Sequence, residues 1–330
     1  MNQFLKNVNM KNITYRTFCL FVSCIFTLAS CKKESQNVFN MFTDVSVEFH
    51  GDNPLSVVDY KQVNDGDSVY VDYTVTSAKE DMFSIGIEKL AGASNSAPER
   101  SVIPISDDSK RRSYRGVIKL KMARDGKTTY RVYAFNRQNV YIGDGYKKVT
   151  IEVNTSYIFK YNRKVYYPDA EKTRPSFYSI LRDETFSYSN GKANSADIDF
   201  GIWVTLDQAP ARLNQPIYNL YSLSNPTNPF PAYDISDWQK RGTKFSPILF
   251  NQATVFNYTL VSATSIVTEA KKQNINQTSL VGTTSLNGLV ASSMVYFLTP
   301  EGKYGCIFVN ASTSDYDGKS YLSISVKMQP

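Results

Sequence analysis

Five aromatic residues, Tyr218, Tyr221, Phe230, Tyr233 and Trp238, crowd into residues 218–238. Tyrosine and tryptophan present a flat apolar body with a polar edge, which suits stacking on the apolar face of a sugar ring. Asn225, Asn228, Asp234 and Asp237 are interspersed and would hydrogen-bond hydroxyl groups. Pro226, Pro229 and Pro231 exclude a central strand, so the stretch reads as a loop. Loops on a rigid β scaffold are where binding residues concentrate. Tyr218, Tyr221, Tyr233 and Trp238 are therefore the candidate ligand-binding residues. The competing expectation is that these rings plug the end of a sandwich and are core. Trp203 is a second stacking candidate if its strand face is exposed.

Carboxylates are the other chemically capable groups. Asp197 and Asp199 would share one strand face, and Asp315 and Asp317 share a loop; each pair could hold Ca²⁺ through oxygen ligands. Neither fits an EF-hand spacing, and Asp317-Gly318 reads more simply as a hairpin turn. Glycoside hydrolysis needs two carboxyl groups about 5–9.5 Å apart, and nothing else in the chain supports such a site. The chain holds one histidine, His50, so only one Ser-His or Cys-His pairing is open to it. There is no phosphate-cradling glycine loop, HExxH or GxSxG. The expectation is a protein that is not an enzyme, without metal or cofactor. Arg111-Arg112, Lys119 and Lys121 read as a solvated strand face. Asp67-Ser68-Val69 resembles a short bacterial O-glycosylation signal.

The first thirty residues bear on compartment. Lys6, Lys11 and Arg16 precede Phe18–Ser30, thirteen residues without a charge. This is the basic and apolar pattern of a secretory signal, shorter than the roughly 20 residues of a membrane span. Leu28-Ala29-Ser30-Cys31 resembles a bacterial lipobox. That resemblance implies cleavage before Cys31, a diacylglycerol on its sulfur and a further acyl chain such as palmitate on the new N-terminus. Each buried CH₂ contributes about 0.8 kcal/mol, and stable anchoring takes at least two chains. The expected partner of Cys31 is thus a membrane. Without Lys6, Lys11 and Arg16, 34 basic residues face 30 acidic ones, a net +4, so charge gives little reason to expect nucleic acid as a partner. Cys19 and Cys24 would leave with the signal, and Cys306 sits in an apolar run as a buried, inert thiol.

The positioning elements read as all-β: an Ig-like β-sandwich followed by a larger β-sandwich domain with a short helix. The expected parts are a signal at 1–30, a lipidated tether at 31–41, the Ig-like sandwich at 42–153 and the second sandwich at 154–330. Val69, Val71, Tyr73 and Val75 alternate with Tyr70, Asp72 and Thr74, the mark of a strand buried on one face. Met82–Leu90, Tyr114–Met122, Thr128–Phe135 and Tyr146–Val153 repeat the pattern. Asp125-Gly126 and Gly143-Asp144-Gly145 supply tight turns. About seven short strands in such a span suggest an Ig-like sandwich. In the second half, Ser189-Asn190-Gly191 predicts a hairpin turn. Asp197–Leu206 reads as a strand with Trp203 on its second face. Ser265–Gln273 reads as a helix with Ser265 as N-cap. Met294–Leu298, Tyr304–Val309 and Ser320–Lys327 read as strands.

The lipobox, the Ig-like half, the stretches DIDFGIWV and DWQKRGTKF, and the C-terminal pattern YFLTPEGKYGCIFVN…DGKSYLSISVKM resemble surface lipoproteins of Bacteroidetes. The resemblance spans most of the chain and rests on structural motifs. It implies the fold and an outer-membrane location, on the cell surface or the periplasmic face. Some such proteins bind polysaccharide beside an outer-membrane transporter; others are fimbrial subunits. The expected function is a non-catalytic binding or adhesion module for glycans. The alternative is a structural surface protein, such as a fimbrial or complex-forming subunit with a protein partner.

Overall fold

The structure, a computed structural model, describes residues 45–91, 98–142 and 147–330. Cys31, the segments 1–30 and 31–41 and the Gly143–Gly145 turn lie outside the described residues. The first half forms β1 (Val45–Phe49), β2 (Tyr60–Val63), β3 (Ser68–Ser77), β4 (Ser84–Ala91), β5 (Glu99–Pro104), β6 (Ser113–Lys121), β7 (Gly126–Phe135), β8 (Tyr141–Ile142) and β9 (Lys148–Val153). One sheet has the order β1-β3-β6; the other runs β2-β9-β7-β4-β5, with β8 on β7. Only the β2–β9 pair is parallel among these ladders. The alternating valines do what their period requires: Val69, Val71, Tyr73 and Val75 are buried, facing Ile85, Val132 and Ile151 of the opposite sheet. The result is the expected Ig-like sandwich. Its core draws only on residues between Val45 and Val153.

The second half forms β10 (Ile158–Tyr166), β11 (Pro175–Ser179), β12 (Glu184–Ser187), α1 (Tyr188–Gly191), β13 (Phe200–Leu206), β14 (Pro216–Ser222), β15 (Lys244–Phe245), α2 (Ala263–Lys271), β16 (Ser279–Leu280), β17 (Met294–Leu298), β18 (Tyr304–Ser314) and β19 (Ser320–Met328). Two five-stranded sheets, β10-β19-β18-β17-β15 and β12-β11-β13-β14-β16, enclose a core of Phe200, Ile202, Leu220, Phe297, Ile307 and Val326.

Both sheets are also apolar on their outer faces. Met294, Tyr296, Cys306 and Phe308 face outward from β17 and β18, under α2 and a π-helical turn at Val255–Thr259. Phe177, Tyr221 and Leu223 face outward from the other sheet, under the segment 225–241 and α1. MVYFL and YGCIFV are apolar at nearly every position because strands covered on both faces have no solvated side. The second half therefore has four layers.

Local details depart from expectation in three places. Ser262, not Ser265, is the N-cap of α2: the Ser262 hydroxyl accepts from Ser265 N, and Ser265 Oγ accepts in turn from Ser262 N at 2.9 Å. Ser189-Asn190-Gly191 closes no hairpin; it lies in the helical turn α1. A Cβ on Gly191 would collide with the Trp238 ring, so the glycine serves a close approach. Asp197 and Asp199 precede the strand, which begins at Phe200. The first free N–H groups of α2 are capped from outside the helix. Ala263 N donates to Ser156 Oγ at 2.8 Å, and Thr264 N to Asp65 of the first sandwich at 2.7 Å.

Candidate functional site

The aromatic stretch does not form an exposed platform. Tyr218 is 6% exposed, Tyr221 and Tyr233 1%, and Trp238 5%. Tyr218 points inward from β14 into the central core, and Tyr221 outward one layer away. Segment 225–241 then folds over that outer face. Trp238 lies 4.9 Å from Phe177 and stacks on Tyr188 at 5.4 Å between centroids. The Tyr233 hydroxyl accepts from Asp169 N at 2.9 Å and donates to Asp169 O at 2.8 Å. The four residues are core because the outer face of this sheet is itself apolar and needs a cover.

Their polar neighbours are occupied in holding that cover. Asn228 donates to Tyr233 O at 2.6 Å, and Asn225 accepts from Thr278 at 2.6 Å. Asp237 pairs with Lys192, and Asp234 accepts from Ser236 N at 2.9 Å. The segment ends at Arg241, whose Nε reaches Asp199 at 2.7 Å and whose Nη2 reaches Glu301 at 2.6 Å. Asp199 is fully buried and also accepts from Thr243 and from Ile180 N. It is therefore an anchor rather than a cation ligand with Asp197. Burial pushes its carboxyl above the ordinary range, against the pull of Thr243 and Arg241. Asp315 accepts from Asp317 N and Lys319 N, the hydrogen bonding of a hairpin turn, with Gly318 at φ +73°. Among the described residues no group of three His, Cys, Asp or Glu could hold a metal ion.

Trp203 is half-buried on the outer face, packed against the same aromatic layer. Cys306 is fully buried, and burial pushes its thiol up to about 12. His50 hydrogen-bonds Thr74 in the first sandwich and is no partner for that thiol. Arg112, Lys119 and Lys121 are solvent-exposed as expected, but Arg111 is half-buried, its guanidinium 4.1 Å above the Phe83 ring.

The chemistry that the fold does bring together lies at the end of the second sandwich where β10 leaves its sheet. An open cleft of about 440 Å³ is lined by Tyr166, Asp169, Glu171, Thr173, Arg174, Pro175, Asp315 and Lys319. Tyr166 ends β10 and pairs in register with Tyr321 of β19, their rings 5.4 Å apart. That pairing brings the β10–β11 connection beside the β18–β19 hairpin, whose tip residue Tyr316 is fully exposed.

Asp169 organises the connection. Its carboxylate accepts from Thr173 N at 2.9 Å, Arg174 N at 3.0 Å, Thr173 Oγ1 at 2.7 Å and the Tyr233 hydroxyl at 3.1 Å. Partial burial pushes its pKa upward, but these donors outweigh it and hold the group at about 2. Asp315 is likewise held below the usual carboxylate range: its desolvation is outweighed by the N–H groups of Lys319 and Asp317, the Lys319 charge and the Tyr166 hydroxyl. Arg174 is half-buried, and its guanidinium has no hydrogen-bond or ion-pair partner among the described residues; the carboxylate of exposed Glu171 has none either. Such an arrangement can stack a flat ring on Tyr166 and offer a planar donor fork beside it.

A second cleft of about 330 Å³ lies beside segment 225–241, over Tyr221, Asn225, Asp234 and Lys240. Its polar groups are largely spent internally; Lys240, for instance, donates to Ile235 O at 2.6 Å.

Tyr166, Arg174 and Lys319 were not singled out from sequence, and Asp315 only as a cation ligand. The available signal is the charged stretch Asp169–Arg174 between Pro168 and Pro175, a loop bracketed by breakers and following a Tyr-rich strand end.

Neither a protein-family model nor a curated protein matches the chain. Among solved structures, it is similar to the CARDB domain of a Pyrococcus furiosus protein crystallised with di-metal ions. That match has 12% identity and a TM-score of 0.21, covering 34% of this chain and 89% of the domain. It is also similar to a cycloalternan-degrading enzyme from Trueperella pyogenes, with 8% identity and a TM-score of 0.18, covering 81% of this chain and 28% of that one. The chain thus spans less than a third of the enzyme's length. At these scores neither likeness carries a functional argument. Among the described residues no helix is long and apolar enough to cross a membrane.

Proposed function

We propose that this protein is a lipid-anchored, non-catalytic binding module that holds a glycan in the cleft formed by Tyr166, Arg174 and Lys319. The observation that carries the reading is that cleft: a tyrosine wall, with another tyrosine exposed at the neighbouring hairpin tip, flanked by charged side chains at the loop end of a rigid sandwich. Sugar recognition asks for that combination of a ring to stack on and polar groups to meet hydroxyls. The lipid on Cys31 would display the site at the outer membrane, with a transporter or another surface protein as a further partner. A structural role through strand pairing would call on a sheet edge, of which the nine-residue β10 is one. That edge is interrupted by a bulge between Lys160 and Arg163, and bulges and cations on an edge disfavour strand addition.

The test is native affinity electrophoresis of the chain from residue 32 onward, which retains every described element, against a polysaccharide panel. Retardation lost in Tyr166→Ala but kept in Ser236→Ala, beside the other cleft, is the expected result. Retardation unchanged in Tyr166→Ala would move the site elsewhere; no retardation on any polysaccharide would refute the glycan reading. For the anchor, mass spectrometry of the N-terminal peptide should give acylated Cys31, and Cys31→Ser should release the protein from membranes.

A further inference from the structure

We propose that the cleft selects acidic glycans, whose sugars carry a carboxylate or sulfate, and that Arg174 is the residue that recognises the anionic group; this rests on the glycan reading above. The inference comes from which charges in the cleft are already used. Asp169 accepts four hydrogen bonds from its own loop and Tyr233, so its oxygens are turned toward the protein. Asp315 accepts the backbone N–H groups of its own hairpin. Lys319 is paired with Asp317 at 3.2 Å.

Arg174 stands apart. Its backbone N–H is bound by Asp169, which fixes the start of the side chain, yet the guanidinium meets no acceptor among the described residues. The other four arginines of this half of the chain, Arg163, Arg182, Arg212 and Arg241, each sit on a carboxylate. The guanidinium of Arg174 borders the open cleft with its five donors uncommitted within the protein. A carboxylate or sulfate takes two of those donors at once, in the planar geometry that gives arginine its selectivity over lysine. A uronic acid or sulfated sugar stacked on Tyr166 would bring its anionic substituent into the cleft that Arg174 also lines. Glu171 is the free carboxylate of the cleft; it is exposed and would repel the same substituent, so its removal should strengthen binding.

The test uses matched pairs of polymers that share a backbone and differ only in charge: polygalacturonate against its methyl ester, and dextran sulfate against dextran. Affinity electrophoresis and calorimetry are run on the chain from residue 32 onward, at two salt concentrations. The expected result is binding to an acidic member of a pair and little to its neutral twin. Arg174→Lys, which keeps the charge but loses the fork, should weaken binding about ten- to a hundred-fold. Glu171→Gln should tighten it. The carboxylated and sulfated pairs distinguish which anion is read. Equal binding of the charged and neutral members, with Tyr166→Ala weakening both and Arg174→Lys neither, would overturn the acidic preference and leave the glycan site standing. Binding to acidic polymers that Arg174→Lys leaves intact would assign it to general charge attraction and overturn the role of Arg174. Binding to no polymer would overturn the glycan reading itself. Tryptophan fluorescence of each variant establishes that it is folded.

Discussion

Replacing Trp238 by alanine should act on stability, because its ring is the centre of the layer that covers the outer face of β11 and β14. A tryptophan side chain buries roughly 250 Å², which at about 25 cal/mol per Å² sets a ceiling near 6 kcal/mol. The extended-chain reference overstates burial by about 10–40%, and measured Trp→Ala losses in cores run about 3–5 kcal/mol. The ring is 5% exposed and contacts Phe177 and Tyr188, so little of it is spared and the loss belongs in that range. The chain has two tryptophans, Trp203 and Trp238, both in the second sandwich. In the variant, Trp203 alone reports unfolding of that half. With a urea slope of about 2 kcal/mol per molar, the midpoint should fall by about 1.5–2.5 M.

Gly191 supplies an internal control. A methyl group there meets the Trp238 ring, so Gly191→Ala should cost about 1–3 kcal/mol by overpacking in the native protein and far less once Trp238 is alanine. A midpoint shift under about 0.5 M in Trp238→Ala, with Gly191→Ala costing the same in both backgrounds, would refute this packing.

Two further variants test buried chemistry. Arg241→Met leaves the fully buried Asp199 without its cation and should cost about 3–5 kcal/mol at neutral pH. The Asp199 carboxyl already sits above its ordinary range through burial, so folding favours its protonated form; the deficit should shrink as the pH falls, and a deficit that grows in denaturation curves run toward acid would contradict the assignment. Cys306, the one thiol from residue 32 onward, should resist Ellman's reagent at pH 8 in the native protein and react stoichiometrically in urea, since burial holds it near 12; fast labelling of the folded protein would show that the α2 layer opens.

How far the sequence could be read depended on how many faces each strand had to cover. In the first sandwich the sheet of β1, β3 and β6 has one solvated face, and the alternation at Val69–Val75 is visible because polar residues occupy the other side. In the second sandwich the same period is hidden. Phe297 and Tyr296 point to opposite cores, and both are apolar. An apolar run such as MVYFL signals two covered faces without naming the cover: α2 and the π-helical turn lie over this sheet, and the proline-rich stretch 225–241 lies over the other. The aromatics of that stretch carry the composition of a binding loop because a surface that packs onto an apolar sheet needs the same side chains as one that stacks on a sugar. Ser189-Asn190-Gly191 was misread for a related reason: the glycine answers to Trp238, a contact no local turn signal contains.

The candidate cleft was hidden by distance along the chain. Tyr166 and Arg174 belong to the first connection of the second sandwich, and Asp315 and Lys319 to its last hairpin. They become neighbours only because the opening strand of this half, β10, pairs with its closing strand, β19, and the register Tyr166↔Tyr321 brings the two strand ends level. Charged residues between Pro168 and Pro175 look like an ordinary solvated loop until that pairing is known. The free guanidinium of Arg174 is therefore a property of the assembled fold: it can be recognised only after Asp169 and Asp315, carboxylates that line the same cleft, are seen to have accepted other donors.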